Sequence, residues 1–339
     1  MTDTLSTEVQ KGEAEGPDRR SAMDRVRSVL AAREAGLAGV LILVVLFLTW
    51  RSPYFLTTDN LIVVARQASL SLIIAVGMTF VILAGGIDLS VGSTVALVSI
   101  MTGEFMVNLN LPTIVAALLA VACGVVVGLV NGLLVGLTSI PPFVVTLGML
   151  AVARGLALGI TQGQTISGFP DGFLVLGQGS LAGIPIPVWI AAGVAVLAHL
   201  VLARTRFGRN VFFIGSNEQA AVLSGIRVRR TKIAIFAIAA GLAGLEAVIE
   251  TARLSVGQPS AGNGYELVAI GAVVIGGASL FGGEGSILGT VLGTCLLALI
   301  QDGLILLGIS AYWQQVFSGV IIVGAVALNI WRQKRSRGR

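Results

Sequence analysis

Apolar stretches about as long as a bilayer is thick recur along this chain, and that length dictates most of what it can fold into. A helix needs about 20 apolar residues to cross the hydrocarbon of a membrane. Ten segments come near that length: 35–50, 61–84, 91–108, 113–137, 143–160, 187–203, 232–251, 265–280, 285–307 and 312–331. In hydrocarbon every backbone N–H and C=O has to be paired inside the protein, so repeated spans of this kind mean helices. The expectation is an all-α polytopic membrane protein with about ten transmembrane helices, some broken or re-entrant. Several segments are short or interrupted by Gly and Pro, so eight full spans plus re-entrant pieces stays open. Composition agrees: 12% of the residues are charged, against roughly 25% in soluble domains. The 44 glycines supply the small surfaces that closely packed membrane helices use.

Charge placement orients the spans. Of the 22 Lys and Arg, six precede residue 35, seven lie between Arg204 and Lys232, and five run from Arg332 to Arg339. Basic loops stay on the cytoplasmic side. Both termini and the middle loop therefore belong there, which requires an even number of spans on each side of that loop. Six candidates precede it and four follow. The net charge of +5 does not point to nucleic acid, because no stretch interleaves bases with aromatics. The organisation expected is a polar, disordered cytoplasmic head (1–34), one membrane domain (35–331) containing the cytoplasmic loop 204–231, and a basic cytoplasmic tail (332–339). The first apolar run ends Thr49-Trp50-Arg51-Ser52 without a small-residue cleavage site, so a cleaved signal peptide is not expected.

Enzyme chemistry is scarce. Cys123 and Cys295 lie inside apolar runs and read as small packing residues. His199, the only histidine, stands near the end of a span. None of the three lysines is followed by Ser or Thr, as a phosphate-cradling loop requires, so this chain is not expected to hydrolyse ATP. No metal or cofactor is expected.

Polar residues inside the apolar runs are few. The run Gly85-Gly86-Ile87-Asp88-Leu89-Ser90-Val91-Gly92 sets an acid among small residues. A carboxylate at membrane depth costs about 2.5–3.5 kcal/mol on insertion scales and faces a polar pathway rather than lipid. Asp88 is thus either a pathway residue in a broken helix, capping the helix that follows Ser90, or part of a polar turn at the membrane surface. Asn131, Arg154, Glu246, Glu250, Gln301 and Asp302, with Glu104, make up the rest and together imply a polar interior. In the middle loop, Ser216-Asn217-Glu218-Gln219 fits a capping box with Ser216 as N-cap, and Gly225 is placed to end the short helix. Such a helix either docks into a partner's groove or lies on anionic headgroups.

These motifs carry a resemblance. Gly77-Met78-Thr79-Phe80-Val81-Ile82 leading into the Asp88 run resembles the permease subunit of ribose-type ATP-binding cassette (ABC) sugar importers. So do Ile140-Pro141-Pro142-Phe143-Val144-Val145-Thr146-Leu147-Gly148 with Arg154-Gly155, the loop from Arg204 to Arg209, and Val274-Ile275-Gly276-Gly277-Ala278-Ser279-Leu280-Phe281-Gly282-Gly283. The likeness runs in order from Tyr54 to Leu328. It implies a monosaccharide permease in a bacterial plasma membrane, working as a dimer with a second copy or paralogue. A separate cytoplasmic ATPase would dock at Gly215, Asn217, Glu218, Ala220, Ala221 and Gly225, and an extracytoplasmic sugar-binding protein would deliver the solute. Asp88, Ser90, Asn131, Arg154, Glu246, Glu250 and Asp302 are the candidate pathway residues. Three departures stand out: Ser216 within Gly215-Ser216-Asn217, where the family has Gly-Gly-Asn; Asp302 before Gly303-Leu304, where it has Asn; and Glu246 and Glu250 in a span of small residues. Related permeases for branched-chain amino acids or nucleosides, and an ion-coupled carrier using Asp88, Glu246 and Glu250, are the alternatives. Two internal echoes, 81–86 with 273–277 and 131–134 with 302–305, hint at duplication.

Overall fold

The computed structural model describes residues 19–310 and, beyond them, 312–314, 316–317, 319–320, 323–324 and 327. In chain order the helices are α1 (Arg19–Arg51), α2 (Thr58–Leu83), α3 (Val91–Gly103, extended by a π turn to Asn108), α4 (Thr113–Leu137) and α5 (Pro142–Thr161). There follow α6 (Asp171–Gln178), α7 (Ile186–Arg204), α8 (Arg206–Ser216), α9 (Glu218–Leu223), α10 (Val228–Leu254), α11 (Tyr265–Ile275) and α12 (Ile287–Leu306). Two-residue strands pair 166–167 with 256–257 and 180–181 with 184–185.

Eight helices among the described residues are long and apolar enough to cross a membrane, and they coincide with eight of the ten expected segments. The expectation changes at 265–280. Helix α11 has only 11 residues, about 16 Å of rise where a full crossing needs about 30 Å. This segment is a broken one, helical over only part of its length. The tenth segment, 312–331, lies largely outside the described residues, as do 1–18 of the head and the tail 332–339. Of the expected head, residues 19–34 are helical, as the first part of α1.

Side chains at three helix starts satisfy backbone donors that no helix can pair for itself. Thr57 accepts from the Asn60 N–H, Thr205 from Gly208 and Ser286 from Gly289. Outward faces are apolar, with Ile114, Leu118, Val196 and Leu197 exposed, as suits contact with lipid. The two ends of the bundle differ. Helices α2 and α4 finish, and α10 and α12 begin, at the end that carries α8 and α9; we call this the basic end.

The axis of the bundle is the antiparallel seam between α4 and α10. Gly124, Gly128, Gly132 and Gly136 recur every fourth residue on one face of α4 and press against the backbone of α10. A Cβ on Gly132 would stand 2.7 Å from the Ile233 Cα, and one on Gly128 2.8 Å from the Ala237 Cα. Small residues let two backbones approach, and in a membrane that contact replaces the hydrophobic drive that holds helices together in water. Gly128→Leu is therefore expected to cost about 3 kcal/mol or more and to abolish a monodisperse peak in size-exclusion chromatography. Gly193→Ala, with nothing within 4 Å of the added carbon, should behave as the parent. A normal Gly128→Leu profile would refute the seam.

Candidate transport site

The first break in the bundle follows α2. After Leu83 the chain turns back without helical structure through residues 84–90, and α3 begins only at Val91. Ser90 Oγ accepts from Asn131 Nδ2 at 2.9 Å. Asn131 lies six residues before the last residue of α4, so α3 begins about 9 Å inside the basic end. Asp88 is fully buried, which removes the surface-turn reading. Its role also differs from the expected cap. Asp88 Oδ1 accepts from the Ser90 N–H at 2.8 Å and the Ser90 hydroxyl at 2.6 Å, closing the turn that precedes the helix. The Ser90 carbonyl then accepts from the Thr94 N–H and from the hydroxyls of Ser93 and Thr94. Asp88 Oδ2 and Asn131 Oδ1 are buried and accept from no donor among the described residues.

The second break mirrors the first. Helix α10 ends at Leu254, and residues 255–264 fold back along α3. The Gln258 N–H donates to the Ser99 hydroxyl at 3.2 Å, and Gly262 packs on Gly92 and on Val95 of α3. From Ser99 to Gly92 the returning chain follows about 10 Å of helix before α11 starts at Tyr265. Helix α11 then runs to the basic end, where Gly276 meets Gly289 of α12. Two discontinuous spans thus lie side by side, each part extended and part helical, running in opposite directions with their helix starts adjacent.

Arg154 of α5 holds this crossing. Its Nη1 donates to the carbonyls of Pro259 and Ala261, both at 2.8 Å, and Nη2 to the Gly92 carbonyl at 3.4 Å. Irregular backbone at membrane depth persists only where its polar groups are paired within the protein. One planar guanidinium pairs three carbonyls from both broken spans. Glu266, in the first turn of α11, lies beside the same guanidinium and close to Gly92. Glu266 is not among the expected pathway residues, because an acid after a glycine-rich stretch looks like a loop end. The short apolar run that follows it was the available signal.

Glu246 and Glu250 join this region through Tyr265, whose hydroxyl donates to Glu250 Oε1 at 2.6 Å. Arg253 lies 3.6 Å from the same oxygen. Glu246 is fully buried, one turn earlier on α10, and no described residue donates a hydrogen bond to its carboxyl. Six of the seven candidate pathway residues therefore gather around the crossing. Asp302 does not. It accepts from Asn60 Nδ2 at 3.0 Å, tying α12 to the start of α2 at the other end of the bundle.

At the basic end the loop folds into α8 and α9. The N-cap of α9 is Asn217, which accepts from the Ala220 N–H at 2.9 Å, and the expected cap Ser216 is the last residue of α8. Ser216 is still inside α8, its hydroxyl donating to the Phe212 carbonyl, and the extended backbone that a cap needs falls on Asn217. Gly225 follows the helix with φ of 77°, the left-handed conformation expected of it. Glu218 pairs with Lys232 at 2.7 Å. Ala221 does not face outward as a docking residue would. It is 2% exposed and packs with Ile214 and Val228, pinning α9 to the bundle. All other residues of α9 are exposed: Glu218 and Gln219 at its start, then Ala220, Val222 and Leu223, the last 89% exposed.

Residues 60–326 match the family described as branched-chain amino acid transport system / permease component, and the chain belongs to this family of transport-system permeases. The ribose import permease protein RbsC of Escherichia coli K12 is 41% identical over 304 residues, 88% of this chain and 94% of that one. The RbsC of Bacillus subtilis 168 is 42% identical over 291 residues, 85% and 90% of the two chains. The D-allose transport system permease protein AlsC of Escherichia coli K12 is 38% identical over 288 residues, 85% and 88%. No solved structure gives a significant match.

Proposed function

We propose that this chain is the membrane permease subunit of an ABC importer that moves a monosaccharide across the bacterial plasma membrane. The observation that carries transport is the crossing itself: buried acids, an amide and a guanidinium gathered where two spans are broken. The sugar class rests on the relatives, whose names are those of ribose and D-allose permeases at about 40% identity over most of the chain. Hydrolysis of ATP belongs to a separate subunit. Asp88, Ser90, Asn131, Arg154, Glu246 and Glu250 line or support the route, where carboxylates and amides suit a solute rich in hydroxyls. Asp302 anchors α12 and stands outside the route.

The basic end faces the cytoplasm, consistent with its arginines. The ATPase docks on α9 through Ala220, Val222 and Leu223, with Asn217, Glu218 and Gly225 shaping the helix and Ala221 and Gly215 seating it. Leu223, exposed at the tip of a basic loop, suits a protein groove better than headgroups. Two permease copies and an extracytoplasmic sugar-binding protein complete the importer, and movement of α9 switches the side to which the route opens.

The test is uptake by vesicles carrying the permease with its ATPase and binding protein. ATP-dependent uptake of labelled ribose, xylose or allose, with leucine excluded, is expected. Leucine uptake would move the substrate class to branched-chain amino acids, and uptake driven by an ion gradient without ATP would overturn the ABC reading.

A further inference from the structure

Three stretches of backbone meet at the basic end with almost no side chain between them: the end of α2, the end of α8, and the glycine-rich loop 276–286 between α11 and α12. The Gly283 N–H donates to the carbonyl of Leu83, the last residue of α2, at 2.9 Å. Gly215 of α8 presses on that same carbonyl, and a Cβ added to it would stand 2.6 Å from the Gly283 nitrogen. A Cβ on Gly282 would come within 2.8 Å of the Gly215 Cα and 2.9 Å of the Gly85 nitrogen. Gly282 and Gly283 take φ of 84° and 76°, a left-handed backbone that side chains rarely adopt. Beside this contact Ala84 packs on the cluster of Ile214, Ala221 and Val228 that seats α9.

The position of this contact matters more than its tightness. Residues 84–90, the extended half of the first broken span, leave it directly after α2. Helix α11, the helical half of the second, leads into it through Gly276 and Gly277. Helix α9 starts three residues after Gly215. We propose that Gly215, the Leu83 carbonyl and Gly282-Gly283 form a rigid joint that carries displacement of α9 to both broken spans at once. Close-packed backbone is bistable rather than continuously deformable, so the joined segments move as one body and do not slide past one another. Gly215 acts as a positioning residue: it touches no solute, and its missing side chain lets the three segments lock. The inference rests on the reading of α9 as the ATPase contact.

The experiment uses the full complex in vesicles, with whichever of ribose, xylose or allose the parent takes up. In a background with Cys123→Ala and Cys295→Ala, Ser216→Cys and Gly283→Cys place two thiols across the joint, where a Cβ on Gly283 would lie 3.1 Å from the Ser216 Cα. Oxidation should cross-link them, and uptake should be the same before and after reduction. A side chain at 283 strains the joint, so the reduced chain should take up sugar more slowly than the parent, at a measurable rate that oxidation leaves unchanged. Gly215→Ala should lower sugar moved per ATP hydrolysed about tenfold, within the usual range of coupling energies, while the ATPase still co-purifies. Uptake blocked by the cross-link and restored by reduction would overturn the proposal, since the segments would then slide. An unchanged transport ratio in Gly215→Ala would overturn it as well. If Gly215→Ala does not assemble, the oxidised and reduced forms decide alone. Leu223→Asp tests the underlying reading separately: it should release the ATPase, and retention would remove α9 as the docking site without touching the joint.

Discussion

Replacing Arg154 with methionine is expected to destabilise the protein strongly, because one side chain ties both broken spans together. The substitution keeps most of the aliphatic volume and removes hydrogen bonds to the carbonyls of Pro259, Ala261 and Gly92. Hydrogen bonds to a charged group contribute about 1.5–3 kcal/mol each, and the part-buried carbonyls of Pro259 and Ala261 lose their donor. A loss of about 3–5 kcal/mol follows even if water reaches part of the site. The apparent melting temperature of detergent-purified protein should fall sharply, and uptake should be lost. Arg154→Lys should recover only part of either, because a single ammonium lacks the planar fork that reaches three acceptors. A melting temperature and uptake equal to the parent for Arg154→Met would refute the clamp.

The second large effect is expected at Asp88. Asp88→Leu leaves the Ser90 N–H and hydroxyl without their shared acceptor in a fully buried turn. Each stranded group costs about 1–3 kcal/mol, so little folded protein and no uptake should be recovered. Asp88→Asn keeps an oxygen in the position of Oδ1 and changes the group at Oδ2, which no described residue engages. Folded yield should stay near that of the parent while the uptake rate falls. If Asp88→Asn instead changes which sugars pass at an unaltered rate, the carboxylate bonds the solute directly. Parental uptake in both variants would remove Asp88 from the transport route.

The resemblance had implied docking through Ala221, and the packing redirects that expectation. Buried against Ile214 and Val228, Ala221 seats the helix, and the exposed Leu223 takes the outward position. The one-residue shift of the cap from Ser216 to Asn217 has the same origin. Both residues can cap a helix, and the choice between them depended on where α8 ends: Ser216 is its last residue, and Asn217 takes the extended backbone of a cap. The capping box and Gly225 mark a short helix between Arg204 and Arg230 in the sequence, but the end of α8 that selects the cap is set by how that helix packs.

What the sequence determined by itself is local: which segments lie in the membrane, and which polar residues cannot face lipid. Hydrophobic length is a sum over neighbours, so eight spans could be placed without knowing what they touch. The cost of a charged or polar group in hydrocarbon likewise marks Asp88, Asn131, Arg154, Glu246 and Glu250 from their immediate surroundings. Tertiary structure alone decided how these residues combine. Asn131 reaches Ser90 across 41 positions and Arg154 reaches Pro259 across 105. Nothing local makes 255–264 turn inward; it does so because α3 offers the Ser99 hydroxyl, Gly92 gives room for Gly262, and Arg154 supplies donors for the carbonyls. Pairing every backbone group inside a membrane is a condition on the whole bundle, and no window of sequence contains it.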